Sequence, residues 1–147
     1  MISYRRWSVL SVTVTAVGAL ALAAGPAAAA YNDSFGVNTW GLPGNACGSV
    51  DFVDNGTWPS GSTNDDYVVV HDWCSDGHGV KAWAWKNGVL LGSKYNGNGL
   101  AGAPVYWDPV GNVLPDDTVG LKVCLVDGSA DPTPSNCESA ERMSVDG

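Results

Sequence analysis

Thr118-Val119-Gly120-Leu121-Lys122-Val123-Cys124-Leu125-Val126 is the stretch from which the fold can be read. Val119, Leu121, Val123 and Leu125 alternate with Gly120, Lys122, Cys124 and Val126. A period of two is the signature of a β-strand with one face in a core, because successive side chains point to opposite sides. The odd residues form the core face, and Lys122 and Cys124 share the other. From that outer face Cys124 can reach a covering segment, and the following loop, 127–136, ends at Cys137. Pro132 and Pro134 stiffen that loop and keep it out of a ladder.

The same grammar recurs toward the N-terminus. Residues 66–74 contain Tyr67-Val68-Val69-Val70, apolar on both faces, as a central strand requires. Residues 80–86 form a further strand after the turn Ser75-Asp76-Gly77-His78-Gly79. Lys86-Asn87-Gly88-Val89 carries an Asn-Gly pair, a strong hairpin signal, and should fold residues 80–85 back on 89–94. Shorter strands are expected at 36–40, 49–53, 103–107 and 139–145. No segment has an amphipathic helical period, and Gly, Asn, Asp and Pro fill the gaps. The expected fold is all-β: a two-sheet antiparallel sandwich of seven or eight short strands, with a small closed barrel as the alternative. Residues 95–102, Tyr-Asn-Gly-Asn-Gly-Leu-Ala-Gly, read as a flexible loop. They lack the Lys-Ser/Thr ending of a phosphate loop.

Residues 1–30 have the order of a cleaved secretory signal peptide. Arg5 and Arg6 precede an apolar run that ends at Gly25-Pro26, followed by Ala28-Ala29-Ala30. The run is shorter than the roughly 20 residues that span a bilayer. Trp7-Ser8-Val9 after the arginine pair fits a twin-arginine signal poorly, so general export is expected. The mature product is then a single secreted, extracellular domain, residues 31–147. It keeps five basic residues against 15 acidic ones, a net charge of −10. Such a surface repels phosphate backbones and anionic lipid, so no nucleic-acid partner and, after cleavage, no membrane partner is expected.

All four cysteines lie in the mature part. An even number in an exported chain reads as two disulfides. Cys47–Cys74 with Cys124–Cys137 is the favoured pairing, since each closes a local loop. Loops of about 28 and 14 residues stabilise by roughly 3.6 and 3.0 kcal/mol through lost chain entropy. The nested pairing, Cys47–Cys137 with Cys74–Cys124, would also join strands of a sandwich. The absence of a C-x-x-C motif speaks against zinc.

Three stretches carry a resemblance: Cys47-Gly48-Ser49-Val50-Asp51-Phe52-Val53-Asp54, Asp65-Asp66-Tyr67-Val68-Val69-Val70-His71-Asp72-Trp73-Cys74-Ser75-Asp76-Gly77, and the strand from Val119 to Val126. They resemble a group of small exported actinomycete proteins with no assigned activity. The resemblance implies a secreted globular domain and carries over no functional residue.

Six tryptophans are in the mature part. Trp83 and Trp85 share one face of the 80–86 strand with Lys81, and Val80, Ala82 and Ala84 share the other. If the lysine face is outermost, two indoles form a flat platform for stacking on sugar rings or on a partner protein. If the alanines face out, both indoles fill the core. Trp58, in Gly56-Thr57-Trp58-Pro59, is expected to be the single most exposed indole. Asp65-Asp66, Asp72 with Asp76, and Asp116-Asp117 offer oxygens for calcium, although turn chemistry is the preferred explanation. Calcium apart, no cofactor is expected. His71 is beside Asp72, but consecutive strand residues face opposite ways, so Asp72 does not orient it. His78 falls in a glycine turn. Glu138 and Glu141 are the two glutamates, and no spacing marks a catalytic pair. The leading expectation is a non-catalytic binding module for carbohydrate or for an extracellular protein, with Trp83, Trp85 and Trp58 as candidate contacts. An inhibitor of a secreted enzyme, presenting the loop 127–136, comes next. A small aspartate-dependent hydrolase comes last.

Overall fold

The computed structural model describes residues 31–41, 44–61 and 66–145. The expected leader, 1–30, and Asp65 lie outside these. Eight strands follow in chain order: β1 (Phe35–Trp40), β2 (Ala46–Val53), β3 (Tyr67–Asp72), β4 (Gly79–Lys86), β5 (Val89–Asn96), β6 (Val105–Trp107), β7 (Thr118–Val126) and β8 (Ser135–Met143). They form two four-stranded sheets, β1-β2-β3-β6 and β5-β4-β7-β8. Every pairing is antiparallel. Both sheets keep free edges, so the fold is a sandwich and not a closed barrel. Among the described residues no helix is long and apolar enough to cross a membrane.

The alternation of β7 is realised as expected. Val119, Leu121, Val123 and Leu125 enter the core with Val50, Phe52, Val68 and Val70 of the facing sheet. From β4 the core takes Val80, Ala82 and Ala84, all fully buried. Trp107 of the edge strand β6, partly buried, packs against this core. β3 is an interior strand buried on both faces. Val68 and Val70 point inward, while Tyr67 lies under Trp58 and Tyr106 on the outer face.

The β4–β5 hairpin turns on Asn87 and Gly88, with φ of 52° and 76°. Positive φ at both central residues makes the turn twist with its strands. Asn87 Nδ2 donates to Asp117 Oδ1 at 2.6 Å, and its Oδ1 accepts from Thr118 N at 2.8 Å. The hairpin tip is thereby tied to the start of β7.

Both local disulfides are formed, Cys47–Cys74 and Cys124–Cys137. The second departs from the expected loop. β8 begins at Ser135, so Cys137 lies within a strand. Its register with β7 slips between Val123 and Leu125, and Asn136 adopts a φ of 49°. This bulge brings Cys137 opposite Cys124.

The glycine-rich loop is pinned rather than free. Buried Asn96 donates to Val70 O at 2.8 Å and accepts from Asn98 N. Gly99 N donates to Asp72 Oδ2 at 2.9 Å. The segment between β6 and β7 also supplies core residues, Val110 and Val113. It is held because Asp66 Oδ2 accepts from Val113 N at 2.7 Å.

Candidate functional site

With its alanines inward, β4 must turn Lys81, Trp83 and Trp85 to the outer face of its sheet, where all three are half-buried. The open question of core or surface is thus decided for the surface. Antiparallel register sets their neighbours. Lys81 pairs with Cys124, Trp83 with Lys122 and Trp85 with Gly120. One strand further, Lys122 pairs with Ser139 and Gly120 with Glu141.

The two indoles have different surroundings. The ammonium groups of Lys81 and Lys122 each lie 5.4 Å from the centroid of the Trp83 ring. Cations are attracted to the negative face of an indole. Lys81 is also tethered, donating to Ser129 O at 2.7 Å. Trp85 instead borders a gap. Position 120 has no side chain, and a Cβ built there would lie 3.4 Å from Trp85 Cβ and 3.6 Å from Glu141 Oε2. The result is a groove of about 520 Å³ lined by Trp85, Gly120, Lys122, Ser139 and Glu141. It offers an apolar aromatic wall, an ammonium donor, a hydroxyl and a carboxylate acceptor within one concavity. Sequence reading missed Gly120, Lys122, Ser139 and Glu141 as a set. The available signal was a glycine inside a strand, which often marks close approach of another molecule.

Trp58 departs from expectation. It is half-buried, with its ring 5.4 Å from Tyr67 and 6.0 Å from Tyr106. The loop around it folds back over the otherwise bare Tyr67 of β3. Trp40 and Trp73, at 46% and 38%, are exposed instead. Trp58 therefore lies on the opposite sheet from Trp83 and Trp85 and does not share their groove.

His71 takes its carboxylate neighbour from the adjacent strand, not from Asp72. Its Nε2 is 3.9 Å from Asp51 Oδ2, and its ring lies 5.6 Å from that of Trp73. Ser49 Oγ donates to Asp51 at 2.6 Å. The hydroxyl is thus spent on the carboxylate, whereas a serine triad needs it on the imidazole. His78 Nδ1 meets Asp127 Oδ1 at 2.6 Å, both exposed, linking the 75–79 turn to the end of β7. Glu138 and Glu141 lie on opposite faces of β8, since they are an odd number of residues apart.

Of the aspartates considered for calcium, Asp66, Asp72, Asp76 and Asp117 accept hydrogen bonds within the fold. Asp66 holds Val113. Asp72 accepts from Gly99 and Cys74; burial pushes its carboxyl up, and those bonds partly oppose the shift. Asp76 accepts from His78 N. Asp117 accepts from Asn87 and Leu114 N and lies 3.3 Å from Lys86 Nζ; the Asn87 bond, then the Leu114 bond, hold its carboxyl below the ordinary range. Among the described residues one group of three metal-type donors converges, Cys47, Cys74 and Asp76. Its two sulfurs are bonded to each other. The chain matches no protein-family model, no curated protein and no solved structure.

Proposed function

We propose that the mature chain is a secreted, non-catalytic glycan-binding domain whose ligand stacks on Trp85 in the groove floored by Gly120. The observation that carries this reading is the pairing of an indole wall with Lys122, Ser139 and Glu141 across a strand position that has no side chain. A pyranose has C–H-lined faces and a hydroxylated rim. The faces suit an indole, and the rim suits charged and hydroxyl groups that donate and accept. Trp83, with two ammonium groups already at its ring, braces Lys81 and Lys122 beside the groove. Both disulfides suit the oxidising environment that export through the 1–30 leader would supply.

The test is a titration with soluble glycans followed by tryptophan fluorescence. Wild type should shift with at least one glycan, and Gly120→Val, which fills the groove, should abolish the shift while keeping the fold. A wild-type protein that responds to no glycan removes this reading.

A protein partner is the second reading, favoured by the β7–β8 loop. Asp131 accepts from Asp127 N, Thr133 N and Thr133 Oγ1, and the Cys124–Cys137 bond closes the base. A loop so ordered loses little entropy on binding. Inhibition of an extracellular protease at micromolar protein would favour it over the glycan reading.

A further inference from the structure

We propose a second glycan subsite on the opposite face of the sandwich, built on Trp73, Asp51 and His71, which makes the domain bivalent. The inference rests on the glycan reading of the Trp85 groove, because an indole, a carboxylate and a nitrogen donor again share one outer face. There they are Trp85, Glu141 and Lys122. Here they are Trp73, Asp51 and His71.

Each component is held in place. Trp73 follows β3, and its backbone N–H donates to Cys47 O at 2.8 Å beside the Cys47–Cys74 bond. Its ring is inclined 35° to that of His71 at 5.6 Å. Asp51 on β2 pairs in register with Gly36 on β1. A Cβ at position 36 would collide with Asp51 Oδ1. The glycine therefore lets the carboxylate lie over β1, where Ser49 holds Oδ2 and Oδ2 faces His71. All three side chains remain reachable: Trp73 is 38% exposed, and the side chains of His71 and Asp51 are 32% and 39% exposed. Trp73, the His71 imidazole and the Asp51 carboxylate follow one another along this face, so a sugar stacked on Trp73 meets the imidazole and the next sugar of the chain meets the carboxylate.

The two subsites belong to different sheets, which stack about 10 Å apart with their outer faces pointing away from each other. One molecule can then hold two glycan chains, or two segments of one, and gain avidity on a polymer without any new contact.

Calorimetric titration of the mature protein with cello-, xylo- and chito-oligosaccharides tests this. Two sites per chain are expected with at least one of the three. Trp73→Ala and Trp85→Ala should each leave one site, and the double variant none. Asp51→Asn keeps the shape and should weaken the second site roughly tenfold by removing a charged acceptor. It also carries the test if circular dichroism shows Trp73→Ala unfolded. A single site, lost in Trp85→Ala and unchanged in Trp73→Ala and Asp51→Asn, overturns the second subsite and leaves the groove reading intact. A single site lost only in Trp73→Ala overturns the groove reading and, with it, the bivalent domain. Absence of binding to all three overturns both.

Discussion

Trp83 and Trp85 show how two identical side chains, two residues apart, are given different work by their cross-strand partners. Trp83 faces Lys122, and Trp85 faces a glycine. Trp85→Ala should therefore abolish detectable glycan binding at the groove, which loses its stacking face. Trp83→Ala should act less, through the lysines it holds. Equal losses in a fluorescence titration would show that both rings stack on ligand. In the core, Phe52 is 2% exposed and packs 6.0 Å from Phe35. Phe52→Ala should cost about 3–5 kcal/mol in urea unfolding, because it removes a buried ring and leaves a cavity.

At the level of the element, the β4–β5 hairpin depends on a turn whose side chain is also a tie. Asn87 tolerates its positive φ and bonds both Asp117 and Thr118 N. Asn87→Ala loses both bonds and meets backbone strain, so it should lower stability by about 1–2 kcal/mol in chemical denaturation. The partner, Asp117, carries a pH signature. Its carboxyl titrates below the ordinary range, chiefly because Asn87 and then Leu114 N donate to its charged form. Asp131 is lowered in the same way by Asp127 N and Thr133 N. For a depressed carboxyl the stabilisation is complete above the unfolded-state value and is lost as pH falls through the folded value. Thermal melts should therefore fall in the acid limb, and Asp117→Asn should flatten that fall. An unchanged acid limb would assign the loss to other carboxylates.

Across the whole molecule, two short covalent loops brace a small core. Cys47–Cys74 fastens β2 to the end of β3, and Cys124–Cys137 fastens β7 to the edge strand β8. β8 is exposed along its whole length, so the second bond supplies what packing does not. Loss of either disulfide should cost roughly 2–5 kcal/mol, read as a lower melting temperature in reductant than in its absence. Cleavage of the proposed 1–30 leader would leave a protein that begins at Tyr31. N-terminal sequencing that finds Met1 would contradict a cleaved leader.

Much of this architecture was legible because it is local. The two-residue period of β7 marks its inward face without reference to any other strand. Asn87-Gly88 names its own turn. Short loop closure favours Cys47–Cys74 and Cys124–Cys137 over the nested pairing. The site was less legible because it is not local. On β4 the same period yields one face of indoles and one of alanines, and alternation by itself does not say which is buried. Packing made that choice: Val80, Ala82 and Ala84 join the core with Phe52, Val68 and Val70 of the facing sheet, and the indoles are left on the outer face. Likewise, register across β4, β7 and β8 puts Gly120 between Trp85 and Glu141, and pairing between strands far apart in the chain leaves no periodic mark on any one of them.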